Sequence, residues 1–316
     1  MSSPLPILFT ALSYYLSVQT TLGDNNPGTT PNIQNIFIGR CYDYELVKYK
    51  TLLPPITETC ENLWTKFSAS FSYMAPCDVT MNHYDSYMLA ASQKIPVNKT
   101  MFWSGVKELV HEYAANGQRY VTLEDTLIGY LAEGLVFCGQ ESAPGMNYSR
   151  CPSWWECPFE AGEAFWAHAS QTFASAASGQ VTVMLDGSST GKPAYRQDSF
   201  FGKYELPYLK KGVVTNVRVF LVHALDAPMS ETCLNGSLKL LEEDVVSRGF
   251  SFSCLDDPLA ILHLLCVDEP ADRECKLATD HVTSGGRLAS HSFALTRQPL
   301  IISAKLDRFD GLPSRG

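Results

Sequence analysis

Apolar side chains recur at helical spacing through residues 57–73, where Leu63, Phe67 and Phe71 repeat every four positions with Trp64 beside them. The same spacing runs through 105–115 on Val106, Leu109, Val110 and Tyr113. Thr122 followed by Glu124 and Asp125 reads as a helix start: a hydroxyl to cap free amides, and carboxylates to complement the dipole. That pattern predicts a helix as far as about Val136. A further helix is predicted over 158–177, rich in Ala and carrying Phe165, Trp166 and Phe173. The pattern then changes. Val181–Leu185 and Val213–His223 are β-branched runs of strand length, followed by a helical stretch at 237–248. Phe250–Cys254 and Ile261–Val267 read as further strands or buried segments. A helical first half followed by alternating strands and helices predicts an α domain joined to a small α/β domain.

Composition bounds the class. The 316 residues are 45% hydrophobic and 18% charged, which suits a sizeable core and excludes a disordered chain. A formal charge of −9 argues against a nucleic-acid partner, which needs a basic face. Residues 1–23 read as an apolar secretory leader, although no Lys or Arg precedes Arg40. Residues 24–38 read as a linker that opens with a polar Pro/Gly stretch, and 279–316 as a loosely ordered tail. Acceptor sequons at Asn98, Asn147 and Asn235 fit a secreted or vesicle-lumenal glycoprotein. The ten cysteines include no CxxC pair, so a disulfide framework is the stronger reading and a metal site the weaker. No later stretch approaches the length of a membrane span.

Candidate chemistry is sparse. Gly187-Ser-Ser-Thr-Gly-Lys192 is one residue short of a phosphate loop, and Pro193 stands where a Ser or Thr should follow, so it reads as a turn. Glu124 and Asp125 at a helix start are ordinarily dipole partners, whereas Glu133 near the same helix's end opposes the dipole. Aromatic residues stand beside polar ones at Trp103-Ser104-Gly105, at Phe165-Trp166 with Ser170, and at Phe200-Phe201-Gly202 with Glu205 close behind. Rings at helical spacing usually belong to a core.

Together these segments resemble the ADP-ribosyl cyclase family of NAD-consuming glycohydrolases. The resemblance covers about residues 39–278 and rests on GRCYDYE at 39–45, MFWSGV at 101–106, TLEDTL at 122–127, VFCGQ at 136–140 and SFFGKYELP at 199–207. It is more similar to the family's soluble invertebrate branch than to its vertebrate surface antigens. The resemblance implies an α/β (α+β) fold: a helical domain over 39–160 and a domain over 161–278 with a four-stranded parallel sheet, into which the segment 97–117 crosses. It implies the pairings Cys41–Cys60, Cys77–Cys157, Cys138–Cys151, Cys233–Cys254 and Cys266–Cys275. It also implies that Glu205 is the catalytic carboxylate. Trp103, Trp166, Glu124, Asp125 and Glu133 would face the ligand, with Ser104, Ser170, Phe200 and Phe201 at phosphate-holding positions. The chain departs from the family at Glu133, where relatives carry Asp or Asn, and at Gly105, where the surface antigens carry Arg.

The implied chemistry is cleavage of the bond between ribose and nicotinamide in NAD. The leaving base departs neutral, so a single carboxylate that stabilises the ribosyl cation suffices. Capture by adenine gives cyclic ADP-ribose, with some capture by water giving ADP-ribose. No metal or redox cofactor is expected, because NAD is the substrate; NADP as a second substrate and a homodimer stay open. The alternatives are a predominantly hydrolytic enzyme, a non-catalytic secreted receptor or ligand on the same scaffold, and a secreted two-carboxylate glycosidase.

Overall fold

The computed structural model describes residues 26–276 except 49–52, 54–56, 154–155, 158, 189–190 and 226. The leader at 1–23 and the tail at 279–316 lie outside the described residues. Helix α1, Ile33–Asp43, starts inside the stretch read as linker, because Ile33, Phe37 and Cys41 repeat every four positions and all three are buried. Helix α2, Cys60–Ala69, is capped by Thr59, whose hydroxyl accepts the Asn62 amide at 3.2 Å. Helix α3 follows over Asp85–Ala91. Their apolar faces meet in an aromatic cluster around Phe67, which stacks on Phe37 and meets Phe71, Phe137 and Phe165 edge-on. Such pairs each contribute about 0.5–1.5 kcal/mol beyond area burial.

Four parallel strands form the sheet, in the order β1 (Met101–Ser104), β2 (Gly179–Asp186), β3 (Val214–Val222), β4 (Ser251–Asp256). β1 comes from the helix-rich half and pairs with β2, Trp103 beside Met184 and Ser104 beside Leu185. β2 and β3 are near-continuous apolar runs because both faces of the sheet are covered. Helices α4 (Lys107–Ala114), α6 (Ala161–Ala176), α7 (Ser237–Ser247) and α8 (Leu259–Asp268) are distributed among the strands.

Two further readings need correction. The helix expected from Thr122 to Val136 is two pieces: a single 3₁₀ turn over Leu123–Asp125, then α5 over Leu127–Ala132. Thr126 is extended and its hydroxyl caps α5 through the Gly129 amide, so a second cap interrupts the first helix after one turn. Ile261–Val267 is no strand but most of α8, of which only Ile261 is buried. An uninterrupted apolar run carries no period to tell strand from helix. All five disulfides join the cysteines as the resemblance implied.

Candidate active site

Open parallel sheets place their ligand crevice beyond the carboxyl ends of the strands. A cavity of about 350 Å³ opens there, at the end of β1, within the usual size of a small-molecule site. β1 delivers Trp103 and Ser104 to its wall. α6 delivers Trp166 and Ser170, four residues apart and therefore on one helix face. The turn after β1 and α4 delivers Leu123 and Glu124. Gly129 lets α5 pack directly on that turn, because a Cβ there would strike the Leu123 carbonyl oxygen.

Glu205 ends a tight π-helical turn over Phe201–Glu205 and reaches the cavity. Ser170 donates its hydroxyl proton to the carboxylate at 3.0 Å. Burial pushes the Glu205 pKa up to about 8; the Ser170 hydrogen bond opposes the rise and the Glu124 charge adds to it. Glu124 accepts the Trp103 indole N–H at 3.4 Å, and His111 Nε2 lies 4.0 Å from the same carboxylate. Phe200 lines the cavity and meets the Tyr204 ring edge-on at 5.2 Å.

The cavity thus gathers Trp103, Ser104, Glu124, Trp166, Ser170, Phe200 and Glu205. It does not gather Asp125, Glu133 or Phe201. The Asp125 carboxylate accepts both the Thr122 amide, at 2.9 Å, and its hydroxyl, at 3.0 Å, and so closes its own turn. Glu133 is ion-paired to Lys107. Phe201 is buried against Phe102 and Tyr195. The sequence reading missed Arg196, Ser199 and Phe173 on the wall, together with Met101, Phe102 and Leu123. Arg196 and Ser199 sit in an irregular loop with no periodic signal; only the fold brings them to Glu205. Asn98 and Asn235 are exposed and Asn147 is half-buried, each with its side-chain oxygen accepting a backbone amide. Among the described residues no group of His, Cys, Asp and Glu could hold a metal ion, and no helix is long and apolar enough to cross a membrane.

Comparison with known proteins points the same way. The sequence model of the ADP-ribosyl cyclase family matches residues 30–275. The chain is 48% identical over 249 residues to the ADP-ribosyl cyclase/cyclic ADP-ribose hydrolase of Aplysia kurodai, covering 79% of this chain and 88% of that protein. It is 34% identical over 253 residues to a human ADP-ribosyl cyclase/cyclic ADP-ribose hydrolase 2, covering 79% of this chain and 77% of that protein. Among solved structures, Aplysia cyclase complexed with substrate NGD and product cGDPR superposes with a TM-score of 0.76 at 45% identity, covering 83% of this chain and 99% of that one. With its four-stranded parallel sheet, five disulfides and buried carboxylate, the chain belongs to the ADP-ribosyl cyclase family.

Proposed function

We propose that the protein is a secreted ADP-ribosyl cyclase that breaks the nicotinamide–ribose bond of NAD and closes the product mainly to cyclic ADP-ribose, with some ADP-ribose. The observation that carries this reading is Glu205, a buried carboxyl in one cavity with two indoles. The pyridinium nitrogen takes the bonding electron pair and leaves as neutral nicotinamide, so the site needs no proton donor. A positive ribosyl centre remains. Glu205, ionised, stabilises it in surroundings that screen charge poorly, and Ser170 holds the carboxylate in place. Trp103 and Trp166 offer flat faces for the two bases and favour a folded substrate with adenine near the anomeric carbon. Phe200, on the cavity wall, would keep competing water from the cation. Five disulfides support an oxidising compartment.

The test is direct. Purified protein is incubated with NAD, and nicotinamide, cyclic ADP-ribose and ADP-ribose are resolved and quantified. The expected result is nicotinamide equal to the sum of the two ribosyl products, with the cyclic one in excess. Linear product alone would replace the cyclase reading by a hydrolytic one, and no NAD consumption would remove both.

A further inference from the structure

The cavity wall carries two acids, Glu124 and Glu205, the second ionised once the site is occupied, on a protein whose formal charge is −9. NAD brings a diphosphate with two negative charges into that field. Among the described residues lining the cavity, Arg196 is the one Lys or Arg.

Its backbone is held firmly and its side chain is not. On one side, Tyr195 is buried, donates its amide to the Ser237 hydroxyl oxygen at 2.8 Å and its own hydroxyl to Asp244 at 2.6 Å. On the other, the Arg196 carbonyl accepts the Ser199 amide at 3.1 Å and the Ser199 hydroxyl at 2.6 Å. Ser199 Oγ in turn accepts the Gly202 amide at 3.1 Å, inside the turn that ends at Glu205. A Cβ at Gly202 would collide with the Arg196 carbonyl oxygen, so glycine is what lets the two segments touch. The Arg196 side chain, by contrast, is 44% exposed. Its ion-pair partner among the described residues, Asp198, lies 3.9 Å away and is itself 85% exposed, a contact of little worth in water.

Resting on the reading of the site as an NAD cavity, we propose that Arg196 is a substrate-binding residue whose guanidinium takes the diphosphate charge of the dinucleotide. Arginine suits this task because its planar fork is always charged and pairs with phosphate oxygens. Because the diphosphate is not altered in the reaction, Arg196 holds ground and transition states alike, and its loss appears in KM more than in kcat.

The experiment compares wild type, Arg196→Gln, Arg196→Lys and Asp198→Asn. Each is assayed with NAD and with nicotinamide riboside, which has the same scissile bond and no phosphate, and for ADP-ribose binding by indole fluorescence. Arg196→Gln is expected to raise KM for NAD and Kd for ADP-ribose about tenfold, the scale of one charge-assisted hydrogen bond, with kcat within about twofold. Arg196→Lys should recover part of the loss, Asp198→Asn should match wild type, and riboside turnover should not change. Equal losses on NAD and riboside, or an unchanged KM and Kd in Arg196→Gln, would overturn the proposal. A wild type that binds ADP-ribose through Arg196 yet consumes no NAD would remove the proposed activity and leave this assignment standing.

Discussion

Glu205 is only 8% exposed, and that burial works against the fold and for the chemistry. Its pKa of about 8 lies above the ordinary 4.5, so the folded protein binds this proton more tightly than the unfolded chain does. The resulting cost is absent below pH 4.5, grows above it and levels off once pH passes about 8. Glutamine carries no such charge. Glu205→Gln is therefore expected to abolish both ribosyl products while raising Tm at pH 8, with the Tm difference vanishing near pH 4; calorimetry across that range checks it. In the free wild-type enzyme, kcat/KM for NAD should climb with pH toward a limb near 8. Glu124→Gln should move that limb to lower pH, since the like charge that raises it is gone. Phe200 is judged by products: Phe200→Gly should shift the ratio from cyclic toward linear ADP-ribose, with total NAD consumption changed less than about threefold. An unchanged ratio in the folded variant would make the ring ordinary packing. Most of the cavity was legible at this scale because aromatic residues beside Ser and Glu are unusual enough to single out. Asp125 has a local reading in the same motif: Thr122-Leu-Glu-Asp125 is a capping-box spacing in which Thr and the acid satisfy one another.

The elements that carry the site are short: one strand end, one 3₁₀ turn, one helix face and one π-helical turn. β2, β3 and α6 were readable because each has a single unbroken pattern, whereas the four residues of β1 entered only through the family resemblance. The turns were not, since one turn repeats nothing, and the Thr126 cap that divides the 122–136 stretch lies inside what reads as continuous helix. The turn over Phe201–Glu205 depends on the close approach at Gly202. Gly202→Ala has to push the Arg196–Gln197 backbone away, an overpacking cost of about 1–3 kcal/mol. The expected outcome is a Tm lower by several degrees, read by thermal denaturation, together with at least about a tenfold loss of NAD turnover. A variant that loses stability but keeps full turnover would show that the turn tolerates the shift.

Across the whole molecule, covalent and ionic ties hold distant segments together. The Cys77–Cys157 bridge closes a loop with a sequence separation of 80, worth about 4–5 kcal/mol in the chain-entropy model. A second tie lies at the end of β3. His223 Nδ1 faces the Asp257 carboxylate at 2.9 Å and Nε2 faces the Glu231 carbonyl at 2.8 Å, two acceptors that are both satisfied only by the protonated ring. Burial lowers its pKa, but the bonds to Asp257 and Glu231 and the charges of Asp257 and Asp256 outweigh it and leave the value raised above 6.5. Its stabilisation is complete below pH 6.5 and is lost as pH rises through the folded value. His223→Ala should accordingly lower Tm strongly at pH 6 and much less at pH 9; an equal drop at both would show that the ring matters by volume alone.

The buried carboxyl of Glu205 also sets what the protein exchanges with its buffer. Near neutrality the empty site holds most of that proton, and the arriving nicotinamide ring is a cation that favours the bare carboxylate. Occupancy of the site should therefore expel close to one hydrogen ion per dinucleotide at pH 7. The observed heat of binding a non-cleavable dinucleotide would then track the ionisation enthalpy of the buffer, and this protein would take up its ligand less readily the more acidic the fluid around it.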